Sequence, residues 1–379
     1  MALRSIPRLA EIELDRGLAA AEAEAIVMWR AEPIRFADLP GRIAELSGRG
    51  ERDTLYTAYR AALDALNSRY EERLRSALDA GDPVLAATVD GVDPGALAVE
   101  LERLVLHSET PYFAALRRYL ALIDIEQGDA TIADLWHIAR GEAWSHWFGA
   151  REVERAVAPV LPGAVVPDGV AGWRRAEMTL ADAGTEADGP VSEAVRAARA
   201  TLIGSPEWLA DELGVGSSEI PSLADFLAFV RLWRLRHDIA RLHYELRLYA
   251  DPAESAVNRA YYAGIVGHMI GVSVPEEAYL ADAAQPFASA RSIQTALLGA
   301  QLIEVLEQRL GPAWWRDASA PGFVAGFGEA ASVSDALAYL GYDALDWRPV
   351  LRQIRTRLIG EMSGYGGPNI TTRAGTRKV

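Results

Sequence analysis

Apolar residues return every three or four positions along most of this chain, the spacing of a helix with one buried face. The run "TLYTAYRAALDALNSRYEERLRSALDAGD", starting at Thr54, sets Leu55, Tyr59, Leu63, Leu66, Tyr70 and Leu74 on one stripe and closes at Gly81. The same rhythm predicts helices over 94–107, 111–125, 192–202, 222–249, 256–272, 290–310 and 347–362. Strand-like alternation is scarce, so the predicted fold class is all-α. Between 161 and 190, "LPGAVVPDGVAGWRRAEMTLADAGTEADGP" breaks the rhythm with Gly, Pro, Asp and Ala. It reads as a long loop with room for one short strand. The end, "SGYGGPNITTRAGTRKV", has no apolar period and reads as a disordered tail. The chain thus divides into a helical half over 1–160, an irregular segment over 161–190, a second helical half over 191–362 and a tail over 363–379.

Composition narrows the function classes. A chain of 379 residues that is 50% hydrophobic can bury a large core. It has no cysteine, which excludes disulfides, thiolate zinc sites and cysteine nucleophiles. A formal charge of -15 argues against nucleic acid and against anionic membranes, since both need a cationic face. The longest apolar run, "AYYAGIVGHMIGVSV" from Ala260, is too short for a membrane span, contains His268 and is ended by Pro275. With no signal-like N-terminus, the expected location is cytoplasmic.

The best-defined helix starts near Pro221, with Ser222 as the expected N-cap and Asp225 as its capping-box partner. It should reach about 40 Å at 1.5 Å per residue. Its end, "RHDIARLHYELRLYAD", holds His237, His243 and Glu245. The two histidines lie six residues apart, about 120° round the axis, and cannot share one metal ion. His237, Arg241 and Glu245 do share a stripe. The intervening guanidinium repels a cation, so the stripe suits a polar ladder and not a metal site.

"FLAFVRLWRLRHDIARLHYELRLYAD", "YLAD", "AQL" and "RLGPAWW" in the second half, and "EPIRFADLPGRIAEL", "DTLYTAYRAALDAL" and "TIADLWHIARGEAWSHWFGAREVERAVAPVL" in the first, carry a family likeness. Over about 11–358 the chain resembles the oligoendopeptidase and thimet-oligopeptidase group of gluzincin zinc metallopeptidases. The resemblance implies two helical halves around a peptide cleft and a zinc helix bearing His-Glu-x-x-His, whose glutamate is the general base.

That motif is missing. His107, His137, His146, His237, His243 and His268 are followed by Ser, Ile, Trp, Asp, Tyr and Met, so no His-Glu pair exists. By the resemblance, the zinc subdomain and its small sheet would be largely deleted, with 161–190 in their place. "SEAVRAARATLIGSPEWLADELG" puts Glu193 where the family's third ligand stands, but one carboxylate does not hold zinc. Where the family has oxyanion-binding tyrosines, this chain has Phe287, Ala288, Ser289 and Ser292. The resemblance therefore implies a catalytically inactive homologue, with no metal and no cofactor, that binds a peptide or protein partner. Its cleft would be formed by the helices from 192, 222 and 290, with Glu193, His237, Arg241, Glu245 and Arg291 as candidate binding residues. The alternative is an enzyme that uses the vacated cleft for metal-independent chemistry on a small molecule. A third reading is a peptidase with an unorthodox metal site.

Other clusters have plainer readings. Glu142 and His146 read as a surface acid–imidazole pair. Trp144, Trp147, Phe148, Trp314 and Trp315 read as packing at helix junctions. Arg348, Arg352, Arg355 and Arg357 read as a solvated helix face. "GYGGPN" follows no strand and opens no helix, so nothing supports a nucleotide site.

Overall fold

A computed structural model of the chain describes residues 9–79, 81, 83–84, 93–181, 189–252 and 255–358. The order is α1 (Leu9–Glu24), a hairpin of β1 (Ile26–Trp29) and β2 (Glu32–Arg35), α2 (Leu39–Glu45), α3 (Arg49–Asp79), α4 (Pro94–Ala121), α5 (Ile132–Ile138), α6 (Ala150–Val157), α7 (Trp173–Ala181) and α8 (Pro190–Ala200). Then come α9 (Ile220–Ala250), α10 (Ser255–Ile270), α11 (Ala288–Leu310), α12 (Ala320–Gly328), α13 (Val333–Leu340) and α14 (Arg348–Leu358). The fold is all-α apart from the hairpin.

Helix α9 is the axis. Its buried residues fall on every side, from Leu223, Phe226 and Val230 to Ile239, Leu242 and Tyr249, as expected of a helix wrapped by others. It packs against α4, α10, α11 and α14. One hydrophobic cluster, running from Ile34 to Leu358, joins both halves of the chain. Among the described residues no helix is long and apolar enough to cross a membrane.

Several expected boundaries move. Helix α9 begins at Ile220 with Glu219 before it. Ser222 lies inside, its hydroxyl donating to the Glu219 carbonyl at 3.0 Å. Asp225 does not close a capping box: it is buried, accepts from the Tyr119 hydroxyl at 2.6 Å and pairs with Arg118. Segments 94–107 and 111–125 form one helix, α4, with Pro111 inside it. Proline leaves the preceding turn one hydrogen bond short. Arg236 reaches that turn from α9, donating to the Val105 carbonyl at 3.1 Å and the Ser108 hydroxyl at 2.9 Å, and to the Met269 carbonyl of α10 at 2.8 Å. A tertiary guanidinium thus ties three helices together at the proline.

The segment 161–190 is not a continuous loop, and no strand forms in its described residues. It holds α7, with Trp173, Ala176, Thr179 and Leu180 buried. Trp173 donates from Nε1 to the Ala139 carbonyl at 2.8 Å and meets Phe226 edge-on. Nine residues are too few for the periodic signal to stand out, and docking against α8 supplies what local propensity does not. The hairpin also escaped the pattern. Its strands are four residues each, and its turn uses Arg30 and Ala31 at positive φ where Asn-Gly is the usual signal. The expected tail, 363–379, lies outside the described residues.

Helices α8 and α11 cross closely at Gly299. A β-carbon there would stand 2.9 Å from the Ala194 carbonyl oxygen and 3.2 Å from the Ala198 nitrogen, both backbone atoms that cannot swing aside. Gly299→Ala should force the helices apart at a cost of about 1–3 kcal/mol. A denaturation midpoint within error of wild type would show that the crossing tolerates the extra carbon.

Candidate functional site

Two adjoining features occupy the region where α8, α9 and α11 meet. The first is a partly open cavity of about 250 Å³, bounded also by α7 and α14. Its walls are mainly apolar: Leu227 and Val230 of α9, Ala197 and Ala200 of α8, Ile203, and Ala296 of α11. Arg231, Arg234 and Arg357 bring three guanidinium groups to it, against the carboxylates of Glu177 and Asp238.

These charges are not equally committed. Arg234 donates to Glu177 at 2.7 Å and lies over the Trp173 ring, 4.9 Å from its centroid. Asp238 accepts from the Ser292 hydroxyl at 2.7 Å and stands 3.5 Å from Arg241. Among the described residues Arg231 donates only to a neutral group, the Gln353 side-chain oxygen at 3.0 Å. Burial lowers its pKa to about 9, and the nearby Arg357 pushes in the same direction. Arg357, lowered in turn by burial, lies so close to Gly204 that a β-carbon there would meet its terminal nitrogen at 2.7 Å. Among the described residues neither Arg231 nor Arg357 has a carboxylate within ion-pair distance. Glu307 is near enough to act on both and Glu207 on Arg357, though neither carboxylate lines the cavity.

The second feature is a buried polar cluster on the neighbouring stripe of α9. Arg241 donates through Nε to the Asp282 carbonyl at 3.0 Å. The Asp282 carboxylate accepts from the Tyr262 hydroxyl. The same carboxylate lies 3.6 Å from His237 Nε2, beyond hydrogen-bond reach, and that nitrogen is buried without a partner. Burial lowers the His237 pKa against the opposing pull of Asp282, so the ring is largely neutral near pH 7. Glu245 is fully buried, accepts from the Ser289 hydroxyl at 2.6 Å through one oxygen and leaves the other unbonded. Burial raises its pKa to about 7, and Ser289, Arg241 and Arg291 only partly offset that rise.

The expected site residues thus separate. His237, Arg241 and Glu245 do share a face of α9, and Arg291 of α11 acts electrostatically on Glu245. None of them lines the cavity, whose polar rim comes from the next stripe, Arg231, Arg234 and Asp238. His243 faces away, partly buried near Glu102 of α4. Glu193 is exposed and, among the described residues, takes only a long contact, 3.4 Å, from Thr295. Arg231, Arg234, Asp238, Asp282 and Tyr262 were not foreseen. One signal was present: arginines at 231 and 234 interrupt "FLAFVRLWRL", a stretch of the helix that is otherwise apolar.

The plainer readings divide too. Trp144 stacks on Phe226 at 4.6 Å, and Trp314 packs edge-on against Trp315. Glu142 does not pair with His146: it binds Arg140, and His146 stands 3.9 Å from Glu219. Arg348, Arg352 and Arg355 are exposed as expected, whereas Arg357 turns into the cavity. Among the described residues no three His, Asp or Glu side chains are grouped to hold a metal ion. No protein-family model matches the chain, and no curated protein matches it either.

Proposed function

We propose that the chain is a non-hydrolytic relative of the oligoendopeptidase group that serves as a peptide- or protein-binding accessory module. The observation that carries the reading is the cavity itself. It opens among the three helices that the resemblance assigns to the substrate cleft, with apolar walls and uncommitted guanidinium groups suited to a chain that is part apolar and part anionic. The missing His-Glu pair removes both the zinc ligands and the general base that hydrolysis by this route requires. Fluorescently labelled random tetrapeptides should therefore bind saturably, remain uncut over hours, and bind equally well with a chelator present. Chelator-sensitive cleavage would sink the proposal.

Glu245 favours a second reading, a repurposed enzyme. A buried carboxyl titrating near neutrality with one free oxygen is the kind of group that general acid–base chemistry uses. It lies one stripe away from the cavity wall, which places it behind the ligand space and not in it. Binding therefore ranks ahead of catalysis.

A further inference from the structure

Size comes first. A cavity of about 150 Å³ takes up a benzene ring, and sites for drug-sized ligands start at about 300 Å³. At about 250 Å³ this one is large enough for a single residue and too small for a chain running through it. Because the cavity is only partly enclosed, whatever precedes that residue can lie outside it.

Charge then selects which end of a chain fits. Arg234 is taken up by Glu177, and Asp238 by Ser292 and Arg241. The remaining polarity is positive: Arg231 and Arg357, close enough to repel one another, with a neutral amide as the first one's only hydrogen-bond partner among the described residues. An incoming ammonium group meets two cations there and is rejected. A carboxylate relieves the repulsion and accepts charge-assisted hydrogen bonds from both planar forks, the strongest kind available to it. A small, fully charged anion such as phosphate could use the arginines but would leave the apolar wall of Leu227, Val230 and Ile203 unfilled.

We infer that this cavity captures the C-terminal residue of its partner chain, with the terminal carboxylate on Arg231 and Arg357 and an apolar last side chain against Leu227, Val230 and Ile203. The inference rests on the peptide-binding reading above and adds to it a direction and an end-specificity. Gly204 has a part in this. The absence of a side chain lets Arg357 lie against the backbone there, and because the group a β-carbon would strike is the tip of a flexible side chain, Gly204→Ala should move Arg357 without unfolding the protein.

The test uses the full-length protein and one N-terminally labelled tetrapeptide library with Leu, Ile or Val as its last residue, made once as free acids and once as C-terminal amides. Acids should bind at least tenfold tighter than amides. In both Arg357→Gln and Gly204→Ala the acid-to-amide ratio should fall toward one. The ratio is its own control for folding, since a misfolded variant loses both ligands together, and Gly204→Ala moves a guanidinium without removing any charge. Equal binding of acids and amides by the wild-type protein would overturn the C-terminal inference while leaving peptide binding intact. Binding of neither library would overturn the peptide reading and this inference with it.

Discussion

Replacing Asp134 with alanine should destabilise the protein by about 3–5 kcal/mol, the usual cost of stranding a buried charge. The carboxylate receives Arg52 at 3.1 Å, and both side chains are at most 2% exposed. Its other oxygen accepts from the Thr131 backbone nitrogen at 3.0 Å and hydroxyl at 3.3 Å, closing the capping box at the start of α5. Alanine therefore removes a helix cap, worth about 1 kcal/mol, and also Arg52's counter-charge. Arg52 keeps its bonds to the Leu46 and Ser47 carbonyls, which hold it inside and prevent it from swinging out to water. Equilibrium urea denaturation followed by helical circular dichroism measures the loss. Asp134→Asn, which keeps an acceptor but not the charge, should fall between alanine and wild type. A shift below about 1 kcal/mol for alanine would mean that Arg52 finds solvent in the variant.

The same pair shows what sequence could and could not reveal. Thr131 and Asp134, three apart before "LWHI", are a capping box visible from spacing alone. That Asp134 also neutralises a residue 82 positions away was invisible, because ion pairing across the fold leaves no local period. Among the helices of 16 residues or more, α3, α9, α10 and α11 were legible through their apolar stripes, whereas α1 was not. Alpha7 and the hairpin were missed because their order comes from docking: Trp173 against Phe226, Ile34 into the core. At the candidate site the stripe of His237, Arg241 and Glu245 was legible as a ladder, but its neighbour was not. Positions 231, 234 and 238 form a site only where α14 and α7 close a cavity over them. A ligand site assembled from several helices is encoded in their crossings, and crossings are what a one-dimensional pattern lacks.

Glu245 provides the largest expected effect of pH. Its pKa is raised from 4.5 to about 7 in the folded chain, with burial as the first cause and the nearby Asp238 adding to it. Between those two values the native state holds a proton that the unfolded chain has released, so stability falls as pH rises through that window. A displacement of that size corresponds to about 3 kcal/mol lost by pH 8, at 1.36 kcal/mol per unit. His237 acts in the opposite sense. Its lowered pKa means that acid favours the unfolded chain, which takes up the proton first, so its contribution is lost as pH falls below about 6.5. Both effects are present in the wild-type curve, and comparison with Glu245→Gln separates them because His237 is common to both proteins. The glutamine can still accept from Ser289, and its amide nitrogen carries a roughly constant cost of about 1–3 kcal/mol for lacking a partner. Relative to wild type, the variant should be less stable at pH 5 and should recover about 3 kcal/mol between pH 5 and pH 8. Parallel stability curves across that range would show that Glu245 is ionised in the fold, and the acid–base reading of the cluster would then lose its support.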